Sequence, residues 1–187
     1  PDGIHWPQHE NGTTSFRLEH LSAANGLQHD SAHDALSDVR ATLALARLLK
    51  TVQPKLFDFA LALHKKDRVA QELGLPVTQH QAQPFLHVSG MLPAQHGFMA
   101  VMWPLASHPV NRNEIIAWDL RHDPQELADL SATEIRQRLF TKSDDLPEGV
   151  RRLPIKGIHL NRSPMVVRNL HVLTHQQAQR WQIDLDQ

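Results

Sequence analysis

The chain has 187 residues, 41% hydrophobic and 21% charged, with a formal net charge of −1. This is the composition of a folded chain with room for one large domain or two small ones, and it excludes disorder as the starting expectation. Near-zero charge gives no global signature of a nucleic-acid or membrane partner, although a local basic patch remains open. Cysteine is absent, which excludes a disulfide framework and thiolate metal sites and suits a reducing cytoplasm. No apolar run reaches the roughly 18 residues a membrane span needs. The opening "PDGIHWPQHENG" lacks the charged and apolar regions of a signal peptide. It also lacks an initiating Met, so the sequence is expected to be a piece of a longer protein.

After a turn-rich start, "SFRLEHLSAANG" reads as a short helix that Ser15 can cap and Asn25-Gly26 stops. From Asp34 to Lys50 the periodicity predicts a longer helix, with Ala35, Val39, Leu43, Ala46 and Leu49 as its apolar stripe. Pro54 marks its boundary. "KLFDFALALHKKDRVAQELG" predicts one or two further helices, ended by Gly74 and Pro76, and a domain boundary is expected between Gln53 and Gln83. The texture then changes. "FLHVSG", "FMAVMWPLA", "NEIIAWDL", "VRRLPIKGIHL" and "SPMVV" read as strands. "DPQELADLSATEIRQRLF" and "THQQAQRW" read as helices, with Ser131/Glu134 and Thr174/Gln177 in capping-box spacing. The predicted class is α+β: a helical part, then a small twisted sheet or barrel with helical insertions.

The most specific chemistry lies in "AHDALSDVRAT". His33 stands at the helix entrance and Asp38 about a turn and a half inside, roughly 140° apart around the axis. They cannot hold one ion as neighbours on one face. They can approach one pocket from two directions, with different roles. Asp38 offers a hard anionic oxygen suited to Mg²⁺ or Mn²⁺. A helix N-terminus disfavours imidazolium, so His33 can stay neutral and take a proton from water. Together they would make half of a two-metal phosphodiesterase site. The plain alternative is that Asp34 and Asp38 serve the helix dipole and His33 belongs to the entrance loop. A third reading takes the dipeptides His29-Asp30 and His33-Asp34 as an HD-type metal phosphohydrolase motif, against which the strand-rich second half argues.

"SFRLEHLSAANGLQHDSAHDALSDVRATLALARLLKTVQPKLFD", "HVSGM", "PLASHPVNRNEIIAWDL" and "RLPIKGIHLNRSP" together closely resemble the bacterial exodeoxyribonuclease I family, over nearly the whole chain. The resemblance implies a DEDD exonuclease of the histidine type, degrading single-stranded DNA from 3′ to 5′ into 5′-mononucleotides in repair and recombination. It implies a ribonuclease-H-like domain followed by an SH3-like domain and a helical domain. It makes His33 the general base and Asp38 the last of four carboxylates holding two Mg²⁺ (or Mn²⁺) ions. The family's first motif, Asp-x-Glu on an early strand, occurs nowhere in this chain. Residues 1–53 then correspond to the C-terminal part of the exonuclease domain, 54–83 to a helical connector and 84–187 to the SH3-like domain. The chain alone is expected to be inactive.

The implied partners are single-stranded DNA and the acidic C-terminal tail of single-stranded-DNA-binding protein. The whole protein is expected to be a bacterial cytoplasmic monomer with no membrane association. Phosphate contacts are expected among Arg112, Lys142, Arg152, Lys156 and Arg162, with Arg151 and Arg168 as further cations. Trp103 and Trp118 can stack bases or fill the barrel core. Lys55 and Phe59 are candidates for the tail, though Phe59 also suits a helix core. His87, His108 and His159 are expected to be structural. The different-class alternative is a module that only binds DNA or protein.

Overall fold

The computed structural model describes residues 3–27, 34–78 and 80–184. The chain divides into two compact units, Pro1–Ala62 and Leu63–Gln187.

The first unit is helical. A short turn brings Gln8 beside Thr14 in an isolated antiparallel bridge. Helix α1 spans Leu18–Ala24, α2 Ala35–Val52 and α3 Pro54–Ala62. Ser15 does not cap α1. The residue before the first turn is Arg17, without a side-chain cap, while the fully buried Ser15 hydroxyl bonds His20 Nδ1 at 2.8 Å. Asp34 caps α2 by accepting the Ser37 N–H at 2.9 Å. Pro54 opens α3, where a missing N–H and a fixed φ cost nothing. The predicted α2 stripe is not the buried face. Val39 and Leu43 are 55% and 50% exposed, and Ala41 is the residue at zero. An apolar stripe is buried only if something covers it, and among the described residues of this unit α1 and α3 are the elements in substantial contact with α2.

The second unit is a curled antiparallel sheet with helical decoration. Helix α4 spans Lys66–Leu73 and stops at Gly74 in the left-handed conformation (φ +65°), a conformation glycine adopts without steric cost. Strands β1 (Phe85–Val88), β2 (Met99–Ser107), β3 (Glu114–Asp119), β4 (Ile155–His159) and β5 (Met165–Val167) run in the order β4-β3-β2-β1-β5. Register explains the core. Phe85 faces Met102, His87 faces Ala100 and Val166, and Pro104 faces Ala117. Side chains alternate along a strand, so these residues share one face, and all are buried. The other face also carries buried Leu86, Val101, Trp118 and Val167, so the strands read as apolar runs rather than strict alternations.

Helices α5 (Gln125–Ala128) and α6 (Ala132–Phe140) lie between β3 and β4, and α7 (His175–Arg180) follows β5. Both expected capping boxes form, at Ser131/Glu134 and Thr174/Gln177. Residues 150–154, expected as strand, are not. Their backbone instead serves α6: Arg138 Nε donates to Arg151 O at 2.8 Å, and Leu153 N–H to Arg138 O at 3.3 Å.

Candidate nucleic-acid interface

The sequence-predicted cations fall into two groups in the second unit. The first lies at one end of the β3–β4 pair. Glu114, opening β3, is in register with His159, closing β4. The turn before β3 therefore presents Arg112 at the same sheet end as Arg162, in the turn after β4, and both are exposed. The scaffold is polar and well bonded. His108 Nδ1 accepts the N–H groups of Val110 and Asn111 at 3.2 and 2.9 Å. Asn111 Nδ2 donates to Glu114 Oε2 at 3.0 Å, and His159 Nδ1 lies 3.7 Å from the same oxygen. Lys66, the first residue of α4, donates to Asn113 Oδ1. These contacts set the Arg112 turn without using the arginine itself.

The second group surrounds the C-terminal end of α6. Arg152 donates to the Leu139 carbonyl, and Lys142 follows the helix by two residues, exposed. A cation at a helix C-terminus is favoured by the dipole. Arg151 is instead paired with Glu126 at 3.0 Å, beside the buried Arg138, which bonds the same carboxylate. Arg138 holds the Glu126 carboxyl below the usual carboxylate range, with Arg151 adding to the effect. Arg168 is tied by its Nε to Gln83 Oε1 at 2.9 Å.

Lys156 differs from both groups. It lies within β4 opposite Ala117, half-buried, and desolvation pushes its ammonium pKa down. His87 is 4% exposed and bonded through Nδ1 to Met165 O at 3.0 Å, the backbone-carbonyl role expected for it. Burial pushes its pKa down and the nearby Lys156 charge adds to that, while the Met165 bond opposes it.

Of the tryptophans, Trp118 is core: it is 1% exposed and donates from Nε1 to His122 O at 2.8 Å. Its cross-strand partner Trp103 is half-buried. Sequence reasoning passed over Phe140, which is 80% exposed. The available signal was a phenylalanine at the end of α6 and off its inward side.

In the helical unit, Asp38 lies in the first turn of α2, half-buried, its N–H donating to Asp34 O at 2.9 Å. His33, with His29 and Asp30 of the HD-type reading, lies outside the described residues. Asp34, the other member of that motif, caps α2. Lys55 and Phe59 are four residues apart on α3 and so share a face; Lys55 is exposed and Phe59 half-buried. Among the described residues no group of three or more His, Asp or Glu could hold a metal ion. One carboxylate, Asp38, does not fit a two-metal centre, so no catalytic step is derived through metal in this chain. Among the described residues, too, no helix is long and apolar enough to cross a membrane.

The second unit is thus a small curled-sheet module of the SH3-like kind with helical insertions, and two groups of its exposed cations lie at the sheet end and around α6. The family model described as "Exonuclease I SH3-like domain" matches residues 64–187, and the chain belongs to that family. Exodeoxyribonuclease I of Escherichia coli (strain K12) is 42% identical over 168 residues, covering 90% of this chain and 34% of the relative. The chain therefore spans about a third of the length of that curated relative. Among solved structures, an exonuclease I from Methylocaldum szegediense is 46% identical with a TM-score of 0.90, covering all of this chain and 38% of the other. E. coli exonuclease I in complex with a dA16 oligonucleotide is 40% identical with a TM-score of 0.89, covering 99% and 38%. An ExoI/SSB-Ct complex is 39% identical with a TM-score of 0.85, again covering 99% and 38%.

Proposed function

We propose that the whole protein is a bacterial 3′-to-5′ exonuclease that degrades single-stranded DNA to 5′-mononucleotides in repair and recombination, and that the residues present here guide the strand without cutting it. The observation that carries the division of labour is that the matched family domain, residues 64–187, brings two sets of exposed cations, while the described residues bring no metal-ligand cluster. The relatives' activity and the oligonucleotide complex of a protein 40% identical support the substrate.

In this reading residues 1–53 are the C-terminal part of the exonuclease domain, 54–83 a helical connector and 84–187 the SH3-like sheet, with the family match at 64–187 reaching back into the connector. His33 is the water-activating base and Asp38 a ligand to one of two Mg²⁺ or Mn²⁺ ions, whose other carboxylates lie elsewhere in the whole protein. The exposed apolar stripe of α2 is consistent with a helix that packs on a sheet of that domain. Arg112, Arg162, Lys142 and Arg152 contact phosphates. Lys156, partly desolvated, contributes less. Lys55 and Phe59 belong to a site for the acidic tail of single-stranded-DNA-binding protein, for which the ExoI/SSB-Ct complex is the support. The compartment is the cytoplasm and the whole protein a monomer.

Salt dependence of binding tests the phosphate assignments. Each phosphate neutralised on a single strand contributes about −0.7 to the slope of log K against log salt. Arg112→Ala and Arg162→Ala are each expected to weaken binding of an oligo-dT to this chain and to flatten that slope by about this amount. Unchanged slopes in both variants overturn the sheet-end assignment.

A further inference from the structure

We propose that Phe140 is a base-stacking platform, with Lys142 and Arg152 placed to take the phosphates on either side of the stacked nucleotide. The inference rests on the single-stranded DNA reading above and adds the place where a base is held.

A groove for single strands combines cations for the backbone with aromatic faces for bases. The tryptophans of the sheet do not supply free faces in this unit, since Trp118 is buried and Trp103 half-buried. Among the described residues of the second unit, Phe140 is the exposed aromatic side chain. Its exposure follows from helix geometry. Arg138 is the buried residue of α6, and Phe140, two residues on, is rotated roughly 200° away from it. The phenyl ring is thus directed off the packed side at the point where the helix ends.

The cations sit where a strand crossing the ring would need them. Arg152 is fixed to the carbonyl of Leu139, the residue before Phe140. Lys142 is two residues after it, and Arg136 lies one turn before it, exposed. Asp144 and Asp145, in the turn after Lys142, offset part of this charge. Bulk attraction at the site is therefore modest, and stacking has to supply the discrimination. A peptide tail with an apolar end would need a concave pocket to bury it. Phe140 is convex and offers a face, which suits a base.

The experiment uses this chain, a fluorescent 15-mer of dT and a matched 15-mer with abasic sites throughout. Phe140→Ala is expected to weaken dT binding at least fivefold, leave the salt slope unchanged and leave abasic binding unchanged, with Phe140→Trp restoring dT affinity. Lys142→Ala is expected to weaken both oligonucleotides alike. At 80% exposure the substitution does not threaten the fold. Equal dT binding by wild type and Phe140→Ala, with Arg112→Ala still weakened, overturns the platform and leaves the DNA reading standing. Absence of dT binding by the wild type overturns both. A Phe140→Ala loss confined to an acidic C-terminal peptide used as a second probe overturns the platform in favour of a protein partner.

Discussion

Replacing Arg138 with Met should loosen α6 from α5 and from the segment at residues 150–154. Arg138 is 9% exposed and makes two directional bonds, from Nε to Arg151 O at 2.8 Å and from Nη2 to Glu126. Methionine keeps most of the aliphatic stem, so the packing loss is small. Removing one partner of a fully buried pair costs about 3–5 kcal/mol. Here the surviving carboxylate is 23% exposed and keeps Arg151 at 3.0 Å, which lowers the cost. The orphaned Arg151 carbonyl adds about 1 kcal/mol. The expected net destabilisation is about 2–3 kcal/mol, or about 8–12 °C in Tm for a unit of this size. Urea unfolding followed by tryptophan fluorescence measures it, in a Trp6→Phe background so that the signal comes from Trp103, Trp118 and Trp181. The loss should also shrink in acid. Arg138 holds the Glu126 carboxyl low, so this contribution is present above the ordinary carboxylate pKa and is lost as pH falls through the depressed one. A loss below about 0.5 kcal/mol at pH 7, the range of ordinary surface substitutions, would refute the reasoning.

Gly97→Ala should destabilise the second unit by about 1–3 kcal/mol, read by thermal unfolding, because φ is +61° and an added Cβ would lie 2.8 Å from Trp181 Cδ2. Asp34→Ala should cost α2 about 1 kcal/mol by removing the bond to Ser37 N–H, read as lost helical circular dichroism and a lower midpoint. His87 has a folded pKa below its ordinary value of 6.5. Its contribution is therefore complete above that value and is lost as pH falls below it, since the unfolded state then binds more protons. Thermal midpoints at pH 8 and pH 5.5 should differ more for wild type than for His87→Gln, and equal differences would count against the buried neutral imidazole.

Local signals in the sequence are legible. The capping boxes, Gly74, Pro54 and the β-branched runs act within a few residues of where they stand, and they place helices and strands as observed. The α+β class and the SH3-like character with helical insertions followed from them and from the resemblance. Signals that depend on partners are less legible. The α2 stripe was periodic, but a stripe is buried only by what packs on it, and Val39 and Leu43 lie open. Ser15 looked like a cap, yet its hydroxyl is drawn to His20 across the turn. Residues 150–154 run into the β4 sequence, but the Arg151 carbonyl and the Leu153 N–H are claimed by Arg138. At the candidate interface, the sequence lists cations but does not sort them. Arg112 and Arg162 share one sheet end because Glu114 and His159 are in register. Lys156 is half-buried only because β4 places it opposite Ala117. Phe140 offers only its helix phase as a signal, because exposure is set by packing and not by residue type.

The central claim is that this chain holds single-stranded DNA without hydrolysing it. Its most direct test is to incubate the purified chain with 5′-labelled oligo-dT in Mg²⁺, and in parallel Mn²⁺, and to resolve products at single-nucleotide length while binding is followed by anisotropy. The account predicts salt-dependent binding and an uncut oligonucleotide under both metals. Stepwise shortening from the 3′ end that stops on adding EDTA and is lost in Asp38→Asn would contradict it.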